Sequence, residues 1–271
     1  MEENQLNAVV LKRVEVAPGL IILRVRPGGW ELPDFEPGQY AVLALPGSAK
    51  RTELSDPDTE APPPDKLIKR AYSIASSSKE KEFVELYITL IRSGSLTPRI
   101  FNLKEGDGIF LGEKFKGMFT LQQVPEQSNI VMIATGTGIA PYMSMIRTEF
   151  KVRPERRFAV FHGARHSWDL GYRAELSTLA YYFKNFAYLP SISRPDGEKE
   201  GWTGHTGYVQ DLWRKKALEP RWGFQPKPDD THVFICGAPA MAEDMLQTLS
   251  SEGFREHKKK EPGQIHLEKF W

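Results

Sequence analysis

Cysteine is nearly absent: Cys236 stands alone among 271 residues. A lone thiol excludes an intrachain disulfide, a Cys₄ zinc site and a cysteine-ligated iron–sulfur cluster. If the chain handles electrons, an organic cofactor must hold them. No apolar run approaches the ~20 residues that cross a bilayer. The opening MEENQLNAVVLKRVEV has no basic stretch leading into an apolar core, so no secretory signal is expected. Charge is balanced, with 36 Lys and Arg against 35 Asp and Glu, which gives no general pull toward nucleic acid or membrane. The six histidines show no metal-ligand spacing, and neither HExxH nor GxSxG occurs. A reducing, cytoplasmic setting, a monomeric chain and no bound metal are the expectations.

What is present is an ordinary globular composition, 40% hydrophobic and 26% charged, long enough for two modest domains. The first part reads as antiparallel β. In VELYITLI (84–91), Val84, Leu86, Ile88 and Leu90 share one face while Glu85, Tyr87 and Thr89 share the other. LIILRVRP (20–27), YAVLALP (40–46), KRAYSIAS (69–76), GIFLGEK (108–114) and GMFTL (117–121) are further short runs, separated by turn signals. Many short strands without helical spacers predict a barrel or sandwich. DPDTEAPPPD (56–65), acidic and proline-rich, reads as a solvated loop.

After about residue 125 the pattern changes. NIVMIATG (129–136), FAVFHGA (158–164) and HVFICGAP (232–239) are continuous apolar runs, suited to parallel strands buried on both faces. Ile139, Met143, Ile146 and Phe150 recur at helical spacing, as do Met241, Met245 and Leu249 before Gly253. Strand, helix, strand predicts a doubly wound α/β domain. The domain boundary is placed near Pro125, giving 1–125 and 126–271.

Each of the three buried runs ends in a glycine, Gly136, Gly163 or Gly237. Ligands in open α/β sheets bind beyond the carboxyl ends of the strands. Gly136-Thr137-Gly138 would let backbone N–H groups and a helix N-terminus approach a pyrophosphate; a plain strand-to-helix turn fits the same residues. Arg165 follows the second run and Arg194 closes YLPSIS. Two arginines in one crevice would grip an adenosine 2′-phosphate, though each alone also fits a solvated surface. In the β half, Arg70, Ala71, Tyr72 and Ser73 offer a phosphate ligand, a stacking ring and a hydroxyl for a flavin nitrogen, or simply an amphipathic strand. Ser95-Leu96-Thr97-Pro98 reads as a helix start, with Thr97 as N-cap and Pro98 at N1, and so as a second anion-binding helix terminus.

RAYS (70–73), SGSLTPRI (93–100), ATGTGIAPY (134–142), HGAR (162–165), SR (193–194), CGAPAM (236–241) and HLEKFW (266–271) follow one another in a fixed order. Together they resemble the ferredoxin–NADP reductase family, its bacterial ferredoxin/flavodoxin branch in particular, over nearly the whole chain. The resemblance implies an antiparallel Greek-key β-barrel that binds FAD, then a doubly wound parallel-sheet domain that binds NADP(H). It implies Arg70 on the flavin phosphate, Tyr72 stacked on the isoalloxazine and Ser73 near flavin N5. Tyr87, Ser95, Leu96 and Thr97 match further FAD contacts. Thr137 falls in the pyrophosphate loop, with Gly136 and Gly138 clearing space for the NADP(H) pyrophosphate, and Arg165 and Arg194 match 2′-phosphate contacts. Cys236 and Glu268 match polar groups beside the nicotinamide, and Phe270 and Trp271 the aromatic tail covering a flavin face or the adenine.

The implied activity is electron transfer between NADP(H) and ferredoxin or flavodoxin, by hydride exchange with flavin N5. An NAD(P)H reductase component of an oxygenase system, or a free-flavin reductase, is the alternative. His205 stands where related reductases often place another phosphate-binding arginine, which predicts weaker preference for the 2′-phosphate. Residues 47–66 look longer than the family minimum. Cys236 is expected to act as a polar packing group and not as a nucleophile. The basic run 255–260 would suit an acidic carrier, and equally a solvated helix end.

Overall fold

Short strands pair antiparallel because a hairpin turn joins neighbours cheaply, and the first part of the chain has six of them. They are β1 (Ala8–Ala17), β2 (Leu20–Pro27), β3 (Tyr40–Pro46), β4 (Leu67–Ser73), β5 (Val84–Thr89) and β6 (Gly108–Leu111). The computed structural model describes residues 6–152 and 154–269. Contacts group the residues up to Thr120 with Ala140–Thr148 as one unit, and Leu121–Ile139 with the residues from Glu149 onward as a second.

In the first unit the strand order is β4-β3-β6-β1-β2-β5. A bridge between Ile74 and Leu86 joins the end of β4 to β5 and closes the sheet into a barrel, which removes its open edges. Ile21, Leu23, Val25, Leu43 and Leu86 fill the interior. β1 was not marked by alternation. Its register shifts between Val10 and Lys12 and again between Glu15 and Ala17, and each such bulge breaks the two-residue period. GMFTL is not a strand: only Lys116 pairs, with Tyr40, and the chain then turns at Gly117 (φ +132°) and leaves Met118 77% exposed.

The polar face of β5 is also covered. Glu85 is buried, accepting from Arg24 Nε at 2.8 Å and from Arg147 Nη1 at 2.7 Å. Arg147 lies on α2 (Ala140–Glu149) and donates as well to the Ala75 carbonyl at 2.9 Å. Two arginines on one carboxylate make this burial tolerable. The helix that follows the glycine turn is thereby fastened to the barrel.

The second unit is a parallel sheet of β7 (Asn129–Thr135), β8 (Phe158–Ala164), β9 (Phe186–Ile192), β10 (His205–Thr206), β11 (Thr231–Gly237) and β12 (Ile265–Lys269). Their order is β10-β9-β8-β7-β11-β12. The chain therefore moves outward from β7 on one side and restarts at β11 on the other, and the switch point lies between those two strands. The continuous apolar runs are buried, as are Met241, Met245 and Leu249 of α6 (Pro239–Ser251). The other helices of this unit are α3 (Arg173–Tyr182), α4 (Val209–Arg214) and α5 (Glu219–Trp222). No helix among the described residues is long and apolar enough to cross a membrane.

This core buries titratable groups. His162 of β8 meets the Tyr188 hydroxyl at 3.1 Å, and burial holds its pKa down to about 3. His266 of β12 stacks on Phe234 with ring centres 4.2 Å apart; burial first, then His232 and His257 nearby, hold it down to about 3. Both are neutral when folded, whereas the unfolded chain takes up protons as pH falls through about 6.5. The unfolded state then binds more protons, so stability is full above that pH and declines below it. From pH 7 to pH 5 the loss is about 2 kcal/mol per histidine. His232, which burial holds down to about 4, adds a similar share. Urea unfolding at the two pH values should show the sum, and a His162→Phe/His266→Phe double variant should lose part of the slope. An unchanged slope in that variant would place the pH dependence elsewhere.

Candidate functional site

Two groups of residues gather at strand ends, one in each unit. In the barrel, the alternation of β4 puts Arg70 and Tyr72 on one face and Ala71 and Ser73 on the other. Arg70 is exposed and donates only to the neighbouring Lys69 carbonyl, at 2.8 Å. The Tyr72 ring is half-buried against the barrel core, and burial pushes its phenol pKa up despite the opposing Arg70 charge. Ser73 is 6% exposed, and its Oγ has no hydrogen-bond partner. A buried hydroxyl left unbonded costs about 1–3 kcal/mol, so it marks a place where an acceptor or donor belongs. The Ile74–Leu86 bridge brings Tyr87 of β5 to the register position opposite Ser73.

Residues 95–97 sit differently from expectation. The helix α1 (Thr97–Ile100) is a single turn with Leu96, not Thr97, as its N-cap residue. The Thr97 hydroxyl instead accepts from the Ile91 N–H at 3.0 Å and donates to the Ile91 carbonyl at 3.2 Å. It is taken up in closing the turn after β5. One turn carries little macrodipole, so α1 is not a second anion-binding helix terminus. Among the described residues the backbone N–H groups of Ser95 and Leu96 have no acceptor, and these remain able to meet a phosphate.

In the second unit the glycine turn is a 3₁₀ segment, Gly136–Ile139. Gly136 has φ +55° and faces open space, but Gly138 does not. A Cβ on Gly138 would lie 2.2 Å from the Cys236 carbonyl oxygen, so its missing side chain makes room for β11. Gly237, at φ +142°, answers from the other side: a Cβ there would stand 2.3 Å from Thr135 Oγ1. Thr135 Oγ1 also accepts from the Ala238 N–H at 2.9 Å. The ends of β7 and β11 are thus locked together at the switch point. Thr135 was missed in the sequence because it reads as the last strand residue before the glycines.

Cys236 and Glu268 are register partners on β11 and β12. The buried Cys236 S–H donates to Glu268 Oε2 at 3.9 Å. Burial first, then the carboxylate, push the thiol pKa well up, so it stays protonated and unreactive. Arg165 and Arg194 lie just beyond β8 and β9, joined by the Arg194 N–H to the Arg165 carbonyl at 2.9 Å. Both side chains are exposed, and neither makes an ion pair among the described residues. His205 opens β10 beside Ser191 of β9. Desolvation first, then the Lys215 charge, lower the pKa of this surface histidine, which disfavours its charged form. Phe270 and Trp271 lie outside the described residues, and no metal-holding cluster of His, Cys, Asp or Glu occurs among those described.

The family described as Oxidoreductase NAD-binding domain matches residues 132–247. A flavodoxin/ferredoxin–NADP reductase of Buchnera aphidicola subsp. Baizongia pistaciae is 32% identical over 208 residues, 76% of this chain and 82% of that one. The corresponding reductase of Buchnera aphidicola subsp. Schizaphis graminum is 29% identical over 267 residues, 98% of both chains. Among solved structures, a ferredoxin NADP⁺ reductase from Neisseria gonorrhoeae with bound FAD and NADP superposes with a TM-score of 0.79, covering 97% of both chains at 24% identity.

Proposed function

The chain belongs to the flavodoxin/ferredoxin–NADP reductase family, and on that premise we propose that it is an FAD-dependent oxidoreductase passing electrons between NADP(H) and ferredoxin or flavodoxin. The observation that carries the reading is Ser73: its buried Oγ lacks a partner on the strand that also presents the Tyr72 ring and the exposed Arg70. Ser73 is the last residue of β4, so the set would suit a flavin lying across the strand end, with the hydroxyl toward N5, the ring against the isoalloxazine and the guanidinium on the phosphate. Tyr87 and residues 95–97 would hold the rest of the dinucleotide.

When bound, FAD supplies a hydride acceptor and releases electrons one at a time. The chain's own part is binding, orientation and charge. Gly136 and Thr137 would hold the NADP(H) pyrophosphate, while Arg165 and Arg194 would hold the 2′-phosphate. Glu268, kept company by a protonated Cys236, would place negative charge where the nicotinamide becomes positive. A cytoplasmic setting agrees with the single, buried, unpaired thiol.

The purified protein should be yellow and release about one FAD per chain on denaturation. It should also reduce ferricyanide with NADPH. FMN in place of FAD, or a colourless chain that FAD cannot reconstitute, contradicts the reading.

A further inference from the structure

Residues 47–66, acidic and proline-rich, are largely exposed, yet one of their carboxylates is not. Asp58 is 19% exposed at its side chain and accepts from two arginines, Arg51 of the same segment and Arg99, which is 41 residues away. Its Oδ2 takes Arg99 Nη2 at 2.7 Å, and its Oδ1 takes Arg51 Nη1 and, at 3.3 Å, Arg99 Nη1. Arg99 is 3% exposed. So buried a guanidinium needs its counter-charge.

The same two arginines gather carbonyls. Arg99 donates to the Ser95 carbonyl at 2.6 Å and to the Gly47 carbonyl at 2.8 Å. Arg51 donates to the Gly94 and Arg92 carbonyls, each at 3.0 Å, and to the Asp56 carbonyl at 2.6 Å. The carbonyls of Arg92, Gly94 and Ser95 are thereby turned onto the arginines, while the N–H groups of Ser95 and Leu96 stay without an acceptor. A backbone segment that is to meet a pyrophosphate needs that polarity, with carbonyl oxygens withdrawn and N–H groups presented.

We propose that Asp58 is a positioning residue for FAD: through Arg51 and Arg99 it holds residues 92–97 in the conformation that receives the flavin dinucleotide's pyrophosphate. The inference rests on the FAD reading above. It gives the 47–66 segment a task, that of a strap tied across the cofactor segment, with Asp58 as its least exposed carboxylate. Asp58 touches no cofactor itself. Its effect should fall on FAD and spare FMN, which has no pyrophosphate to receive.

The test compares FAD and FMN binding to the full-length apoprotein of wild type, Asp58→Asn and Asp58→Glu. Flavin fluorescence gives the dissociation constants. Asp58→Asn should weaken FAD by about 10- to 150-fold, the range of a lost charge-assisted bond, with FMN changed less than about twofold. Asp58→Glu, which keeps the charge, should recover part of the loss. An FAD-to-FMN affinity ratio in folded Asp58→Asn equal to that of wild type overturns the proposal, even where thermal stability has fallen. Should Asp58→Asn not fold, Arg51→Gln removes the less buried arm and is judged by the same ratio. A wild-type chain that binds no FAD sinks the underlying reading instead.

Discussion

Gly138→Ala is expected to lower kcat/KM for NADPH by at least ~100-fold while FAD stays bound. The added Cβ would meet the Cys236 carbonyl oxygen at 2.2 Å, its carbonyl carbon at 2.6 Å and the Gly237 nitrogen at 3.0 Å. All three are backbone atoms of β11, so no flexible side chain can swing away. Either β11 or the glycine turn must move by about an ångström, and a shift of that size between reacting groups can cost two orders of magnitude. Cys236 and Gly237 are the atoms displaced, and Glu268 is paired with Cys236 across the sheet. Retained FAD separates this outcome from general unfolding, because the proposed flavin residues belong to the barrel unit. Near-normal NADPH turnover in a folded variant would show that the switch point does not position the nicotinamide nucleotide.

Arg194→Ala should cost less but discriminate more sharply. Its side chain is exposed, on a residue whose backbone N–H bonds the Arg165 carbonyl, and makes no ion pair among the described residues, so it is available to the proposed 2′-phosphate that NADPH has and NADH lacks. A charge-assisted hydrogen bond contributes about 1.5–3 kcal/mol, or roughly 10- to 150-fold in kcat/KM. The lower end is expected. His205, whose charged form desolvation and Lys215 disfavour, adds little charge of its own. Kinetics with both coenzymes should show NADPH alone impaired, and less so at high salt, since part of the attraction is screened. Equal losses for NADPH and NADH would make Arg194 a structural residue.

The continuous apolar strands were legible because burial on both faces writes itself into consecutive residues: FAVFHGA corresponds to β8 (Phe158–Ala164) residue for residue. LIILRVRP and YAVLALP are likewise β2 and β3. Less legible was anything held by distant partners. Glu85 reads as an outward residue of an alternating strand until Arg24 and Arg147 are seen to cover it. Asp58 sits in what reads as a solvated loop, and Arg99 is 41 residues away, so no local pattern joins them. Nothing near Gly138 in the sequence marks its contact with β11, since only the sheet order brings the Cys236 carbonyl against it. Thr97 carries an N-cap signature, yet its hydroxyl is claimed by Ile91, six residues back.

Anaerobic stopped-flow mixing of the purified protein with NADPH, then with NADH, and finally of the reduced protein with oxidised flavodoxin or ferredoxin, tests the central claim most directly. Bleaching of the visible flavin band should be at least about tenfold faster with NADPH than with NADH at equal concentration. The band should then return as the carrier is reduced. A flavin that NADPH leaves oxidised, or one that NADPH bleaches but neither carrier reoxidises, would contradict the account.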